Sequence, residues 1–496
     1  MALLFATVAC GISSTLHAQH TKGFLARLAD SVSYRGEAVV TASDASGKTP
    51  FWLTSNRYGL AGAKHSNGHI SFGISRDTKS DAGQKWRFGY GAQIAVAHNY
   101  TSDFILQQLY AEVAHRGWAL SLGAKEREMN FKNPELSTGS QTFGINARPI
   151  PELRFDIPEY ISISGKKRIV SIRGHIGYGM LTDGNWQQSV VGKRHSSYVK
   201  HTLYHSKSGF LKIGNKDLFP LTFEAGLEMG ATFGGKYYRD GKSENLYQGI
   251  QDFAQIFFCS SYDPGEVEHK NAKGNTLGSW LMNLTYYADN WKLRAYYDHY
   301  FEDHSGLFYS NGAYDGMYGI ELNLPANPWV DDIVYEHVYT KFQSGACYHD
   351  PTANLKDKAF GIDNYYNHGI YSGWQHWGMA VGNPLYLSPI YNDDKTLTFK
   401  SNRFSAHHVG ISGNPSPHFH YRMLYSFAKH YGTYSTPYED VKIQRSFMAQ
   451  VDFKPKNLFG AKFRNWSIAA AFAADHGRQT GNNSGFQFTL KKWGNF

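Results

Sequence analysis

Three stretches of the chain concentrate the side chains that can do chemistry. Ala42–Gly68 carries Phe51, Trp52, Asn56, Arg57 and Tyr58; Glu126–Ile150 carries Asn133, Glu135, Asn146 and Arg148; Gln343–Lys395 carries Tyr365, Tyr366, His368, Tyr371, Trp374, His376 and Trp377. Flat aromatic faces stack on the apolar C–H patches of sugar rings, and planar donors and acceptors take hydroxyls and carboxylates. Arginine is the natural partner of a uronic acid, whose carboxylate its fork meets with two bonds. Taken singly, each of these aromatics is more often packing than platform. As a set in loops they point to ligand contact, because function concentrates in loops carried on rigid scaffolds. The candidates are Trp52, Arg57, Tyr58, Arg148, Tyr365, Tyr366, Tyr371, Trp374, His376 and Trp377.

Catalytic constellations are absent from the sequence. There is no GxSxG elbow, P-loop, HExxH or CxxC. His201 and His205 would share a strand face, but no third zinc ligand is evident. They read as polar filler facing an interior, as do His418 and His420. Glu302-Asp303-His304 reads as a solvated loop. Glu224 and Glu228 share one face of a strand but sit about 13 Å apart at the usual rise, wider than glycosidase pairs. No catalytic, metal or cofactor site is expected, and the chain is read as not an enzyme. The formal charge of +9 suits acidic polymers or anionic lipopolysaccharide. No nucleic-acid motif accompanies it.

The elements that must position the loops are strands. In Lys85–Ala97, Trp86, Phe88, Tyr90, Ala92, Ile94 and Val96 alternate with Lys85, Arg87, Gly89, Gly91 and Gln93. In Phe219–Phe233, Leu221, Phe223, Ala225, Leu227, Met229, Ala231 and Phe233 oppose Thr222, Glu224, Gly226, Glu228, Gly230 and Thr232. Apolar residues facing out and polar or tiny ones facing in are the pattern of a lipid-facing strand around a wet lumen. A soluble sandwich alternates too; repetition at roughly 9 to 14 residues per strand along the whole chain favours the barrel. The last stretch, Gly485–Phe496, keeps the parity through Phe486, Phe488 and Leu490 to the terminal Phe496. An aromatic strand at a chain end is a liability unless it closes on the first strand. Composition agrees: 34 Tyr, 50 Gly and only 16 Pro, with a mean hydropathy of −0.46, fit aromatic girdles and crowded strands rather than apolar helices.

These runs give a transmembrane antiparallel β-barrel of about eighteen strands, the first at Ser33–Thr41. Connections after odd strands are mostly long, and those after even strands mostly short (Arg116-Gly117, Gly165–Lys167, Asp289-Asn290). Long extracellular loops and short periplasmic turns are the bacterial arrangement. Met1–Ala18 reads as an export signal with Leu16-His17-Ala18 before the cleavage point. Residues 19–32 form a short periplasmic segment with one amphipathic helix, and 33–496 the barrel. A second helix is expected within Gly234–Asn275, where Leu246, Ile250, Phe253 and Phe257 fall near helical spacing. Cys259 and Cys347 fall in long loops, where an oxidising compartment permits a disulfide.

The stretches YRGEAVVTASDASGKTPFWLTSNRYG, FKNPELSTGSQTFGINARPIPELRFDIPEY and YNHGIYSGWQHWGMAVGNP resemble the capsule assembly Wzi family, over about Ser33 to Phe496. The resemblance implies an eighteen-strand outer-membrane barrel of a Gram-negative bacterium. It implies a lectin that binds capsular polysaccharide through extracellular loops and holds capsule on the cell surface, without polymerising or cleaving it. It also implies a helical segment near the N-terminus that occludes the periplasmic mouth, for which only Gln19–Ser31 is available. The expected partners are capsular polysaccharide, outer-membrane lipid with lipopolysaccharide, and the barrel-assembly machinery during insertion, with the protein acting as a monomer. The alternative is a porin or polysaccharide-passing channel, since eighteen strands enclose an aqueous lumen unless it is filled.

Overall fold

The computed structural model describes residues 23–44, 47–191, 196–246, 248–259, 261–262, 271–272, 274–302, 307, 315–343, 363–455 and 463–496. The export signal, Cys347 and its pairing with Cys259, and Asp303-His304 lie outside the described residues. Eighteen strands form one closed sheet. In chain order the first nine are β1 (Ser33–Ser43), β2 (Ser66–Arg76), β3 (Trp86–His98), β4 (Phe104–His115), β5 (Trp118–Ala124), β6 (Glu152–Ser162), β7 (Val170–Met180), β8 (Leu203–Ile213) and β9 (Leu221–Phe233). The second nine are β10 (Asn275–Tyr287), β11 (Lys292–Glu302), β12 (Gly316–Asn323), β13 (Asp332–Tyr339), β14 (Phe404–Ser416), β15 (Phe419–Gly432), β16 (Pro437–Phe453), β17 (Trp466–Gly477) and β18 (Asn483–Asn495). Each pairs antiparallel with the next, and β18 returns to β1 with Ser33 opposite Asn495 and Ser43 opposite Gly485. Closure leaves the sheet without an edge, the condition for a sheet to sit in lipid. Fold class and strand count stand as read from the sequence; the first strand runs two residues further than expected.

One end of the barrel carries both strand termini and short turns such as 116–117 and 417–418. The other carries the long connections 44–65, 125–151, 181–202, 234–274 and 340–403. Around the wall the usual burial pattern is inverted. Ile70 is 70% exposed while its neighbour Ser71 is 3% exposed. Val40, Val96, Phe104 and Leu122 face outward with Ile70, and Thr41, His69, Gln93 and Gln107 are buried inside. Ile70 sits in a lateral apolar row, opposite Ala38 on one side and Val96 on the other. A cation there would face hydrocarbon, so Ile70→Arg is expected to cost about 2–4 kcal/mol of bilayer stability. Ser71→Ala should be nearly silent. Urea titration of both variants folded into phosphatidylcholine vesicles checks this, and equal midpoints would contradict a lipid-facing Ile70.

Among the described residues, one helix packs at the short-turn end of the barrel and another against its outer wall. Phe24–Ala29 lies at the short-turn end, where Arg27 reaches Asp81 at 3.2 Å and Tyr90 donates to the Leu28 carbonyl at 2.8 Å. Asp81 also takes both guanidinium nitrogens of the buried Arg76, at 2.8 and 3.1 Å. Ile250–Phe257 is the helix expected from spacing. It lies against the outer wall, with Ile256 buried on Ala231 and Phe233, and Phe253 packed beside them. This changes two readings. His205, expected to face inward, points outward and stacks on Tyr178 at 4.4 Å under Phe257. Met229, Ala231 and Phe233 share the outward parity of Phe223 but are buried by the helix and its flanks.

Candidate functional site

The lumen is filled by the protein's own loops. Loop 125–151 leaves β5, crosses the interior and returns to β6. On its way it meets inward carboxylates of four strands. Glu228 of β9 accepts from Asn130 Nδ2 at 2.5 Å and Ser140 Oγ at 3.1 Å. Asp298 of β11 takes the Lys132 ammonium at 2.8 Å. Glu321 of β12 accepts from Asn133 Nδ2 at 3.5 Å. Glu336 of β13 accepts from Ser137 Oγ at 2.5 Å, Thr138 N at 2.8 Å and Thr138 Oγ1 at 2.6 Å, and from the wall's own Tyr296 at 2.6 Å. Beyond these, the Leu136 carbonyl lies 2.7 Å from His408 Nε2 of β14, and Glu135 lies 3.1 Å from His420 Nε2 of β15. The loop therefore spans from β5 and β6 to the opposite wall. A buried carboxylate must be hydrogen-bonded or paired, and here the loop supplies the partners. The wet lumen expected around Glu224 and Glu228 is corrected at Glu228, which is fully buried; Glu224 keeps accessible surface and accepts from Asn283 Nδ2 at 2.6 Å.

Residues 47–65 and 363–403 complete the plug. Phe51 N donates to Asp475 at 2.9 Å, and Trp52 packs on His408 with ring centroids 5.1 Å apart. Asn56 N donates to Asn146 Oδ1 at 3.0 Å. Trp374 Nε1 donates to the Thr142 carbonyl at 2.9 Å, and Tyr366 OH to the Gln141 carbonyl. A Cβ on Gly230 would lie 2.5 Å from Cη2 of Trp374, so the missing side chain in β9 is what admits the indole. Phe51, Trp52, Leu136, Tyr365, Tyr366, Trp374, Tyr386 and Phe399 share one apolar cluster.

The ten sequence candidates thus divide. Trp52, Tyr365, Tyr366, Trp374 and His376 are buried in the plug, Trp374 with 0% exposure; Tyr371 and Arg148 are also buried. Arg57, Tyr58 and Trp377 keep accessible surface. Arg57 and Tyr58 lie on the underside of the plug, in a cavity of about 470 Å³ toward the short-turn end that also takes in Arg35, Glu37, Arg422 and Trp493. Trp377 lies at the long-loop end.

Around Trp377 a second set of groups converges. The Arg148 guanidinium lies 4.5 Å from the indole centroid, and its Nη2 donates to Thr101 Oγ1 at 2.8 Å. Burial draws its proton affinity down to about 10, so it remains a cation at neutral pH. Trp186, on the helix Gly184–Val191, lies 6.3 Å from Trp377. Asp183 organises the turn by accepting from Trp377 N at 3.0 Å and from Gln187 at 2.9 Å. His376 Nε2 accepts from Thr182 N at 3.2 Å, and its Nδ1 lies 3.0 Å from the Arg148 carbonyl. Burial holds this imidazole below the usual histidine range, which fits a neutral ring fixing two loops. Next to it, Tyr198 and Tyr238 stack at 5.0 Å and 4° across a small sheet of 198–200, 236–239 and 242–245. Lys200 and Lys236 lie 5.9 and 5.6 Å from the Tyr238 ring. Trp186, Tyr198, Tyr238 and the two lysines were not among the candidates. The one available signal was the pair of adjacent tyrosines between basic residues in Lys236–Arg239. Among the described residues, no group of three or more His, Cys, Asp or Glu is arranged to hold a metal ion.

No family model and no curated protein matches the chain. Solved structures do. The Escherichia coli outer-membrane protein Wzi, a carbohydrate-binding β-barrel involved in group 1 capsule assembly, superposes with a TM-score of 0.56 at 12% identity, covering 94% of this chain and 85% of that one. The Pseudomonas aeruginosa proteins OccK3 (OpdO) and OccK5 (OpdH) match 94% of this chain with TM-scores of 0.45 and 0.46, at 9% and 10% identity, over 96% and 98% of their own lengths. At such identities the likeness to Wzi is one of fold: this chain is an eighteen-strand barrel of the outer-membrane type.

Proposed function

We propose that the protein is a non-enzymatic outer-membrane lectin that holds capsular polysaccharide on the cell surface through its long-loop face. The short-turn end then faces the periplasm of a Gram-negative cell, and lipopolysaccharide surrounds the other. The observation that carries this reading is the plug. A barrel filled by loops that its own wall carboxylates hold is built to present a surface rather than to pass solute. The sequence resemblance to the Wzi family and the fold likeness to a carbohydrate-binding barrel support the same ligand class. The accessible platform is Trp186 and Trp377, backed by the buried Arg148 cation against the Trp377 ring, with the stacked Tyr198 and Tyr238 on the small sheet. Apolar ring faces suit sugar C–H patches, and the accessible Lys200 and Lys236 beside Tyr238 suit a polymer carrying uronic acids.

The test is binding of purified capsule by the detergent-solubilised protein, together with capsule retention on cells. Trp186→Ala with Trp377→Ala is expected to weaken binding on the order of tenfold, taking about 0.5–1.5 kcal/mol per aromatic contact. Capsule should then appear in the medium at unchanged total yield. Undiminished retention by the double variant would reject this platform, and capsule missing from both cells and medium would point to export instead.

A further inference from the structure

The cavity beneath the plug contains a cation that no carboxylate pairs with directly among the described residues; Glu37 and Asp452 act on it only through space. Its carboxylates are all engaged. Glu37 meets Lys491 at 3.3 Å, His69 at 3.4 Å and Arg35 at 3.6 Å. Glu135 meets His420 at 3.1 Å. Glu126 accepts from Gln107 at 2.8 Å, and Asp452 from Gln450 at 2.8 Å. Arg422 is held as well, by the Glu135 carbonyl at 3.0 Å and Gln450 Oε1 at 3.0 Å. Arg57 differs: its Nε and Nη2 are buried and have no hydrogen-bond partner among the described residues. Burial and the neighbouring Arg422 charge draw its proton affinity down to about 10, which still leaves a cation at neutral pH. A buried, uncompensated donor is costly. Arg57 nonetheless lines the cavity, while its neighbour Asn56 is tied to Asn146, Ser137 and Thr138.

We propose that Arg57, with Arg422 and Arg35, forms a binding site for an oxyanion, a carboxylate or a phosphate, entering from the short-turn end of the barrel. The fork of Arg57 offers two parallel donors of the kind that planar oxyanions accept. The cavity, about 470 Å³, falls in the range of small-ligand pockets, and so takes a charged sugar unit or a phosphate ester rather than a bare ion alone. Trp493 faces inward at the mouth and Tyr58 lines the wall, giving ring surfaces beside the charge. The site lies on the opposite side of the plug from Trp377 and does not depend on the lectin reading.

The experiment is calorimetric titration of the intact, detergent-solubilised protein with sodium glucuronate, inorganic phosphate and neutral glucose at millimolar concentration. At least one oxyanion is expected to bind and glucose not to. Glucuronate alone assigns a sugar acid, phosphate alone a phosphate ester, and both together a general oxyanion site. Arg57→Gln should weaken binding about tenfold or more, as loss of a charge-assisted bond does. Arg57→Lys, which keeps the charge but not the fork, should fall between. Heat-modifiable gel mobility verifies that each variant is folded, and the Lys variant carries the test if the Gln variant is not. No binding of either oxyanion by the unaltered protein, or binding by folded Arg57 variants equal to it, overturns the site.

Discussion

Deleting residues 130–146 and joining the ends with a short Gly-Ser linker should turn a silent barrel into a conducting one. The unaltered protein is expected to give no steady current in planar bilayers, because loop 125–151 crosses from β5 and β6 to the wall made by β9 to β15. The variant should give a steady conductance well above that of the unaltered protein, since the loop that reaches the far wall is gone and only the residues around Trp52 and Trp374 still occupy an eighteen-strand lumen. The barrel itself should still assemble. The register between β5 and β6, with Ala119 opposite Asp156 and Gly123 opposite Glu152, lies outside the deleted segment. Glu228, Asp298, Glu321 and Glu336 would lose their loop partners, but water entering the opened lumen would solvate them, so no charge is stranded in a dry site. Cells making the variant should become sensitive to antibiotics too large for ordinary porins. The result also decides between the two functional readings. If the unaltered protein conducts as well as the variant, the plug is no barrier and a polysaccharide-passing channel becomes the better description.

What the sequence made legible was the wall. Alternation along Trp86–His98 reads directly into which side chains meet lipid, because strand period and barrel geometry leave no other choice. The contents of the lumen were not legible. Glu228 in a strand whose other face is apolar says only that something polar lies opposite; water and the Asn130–Ser140 pair satisfy that requirement equally. Nor does composition separate a sugar platform from a packed core. Trp374 and Trp377 are three residues apart in one loop, yet one is sealed against Gly230 and the other stands beside Arg148 at the long-loop end. Both are large amphipathic rings, and only the path of the loop decides which is covered. The misplacement of His205 has the same origin. Its own strand presents it outward, but a polar residue on a lipid-facing wall becomes tolerable only through a helix fifty residues away, whose docking no local pattern records.

The Lys132–Asp298 pair should prove strongly coupled. Both side chains are essentially inaccessible, at 0% and 1% of their surface, with the ammonium 2.8 Å from one carboxylate oxygen and 3.0 Å from the other. The Tyr296 ring adds a face 4.4 Å from Nζ. Asp298→Ala leaves a cation buried in the middle of the plug without its paired carboxylate, and breaking such a pair from one side costs about 3–5 kcal/mol. Lys132→Met should also be harmful, because the carboxylate is then left against apolar surface. Replacing both, as Lys132→Met with Asp298→Leu, removes the two desolvation penalties together and should recover most of the loss, leaving a coupling of about 3 kcal/mol. The loss should appear in the seating of the loop before it appears in the barrel. Amide hydrogen exchange across 131–143 is the direct readout, with faster exchange in each single variant and near-normal protection in the double. Each single variant should also flicker between closed and conducting states in bilayers, as a loosely held plug would. Single losses that simply add in the double variant would show that the two charges do not sense one another. The idea that wall carboxylates seat the plug would then fail at the contact where it makes its strongest demand.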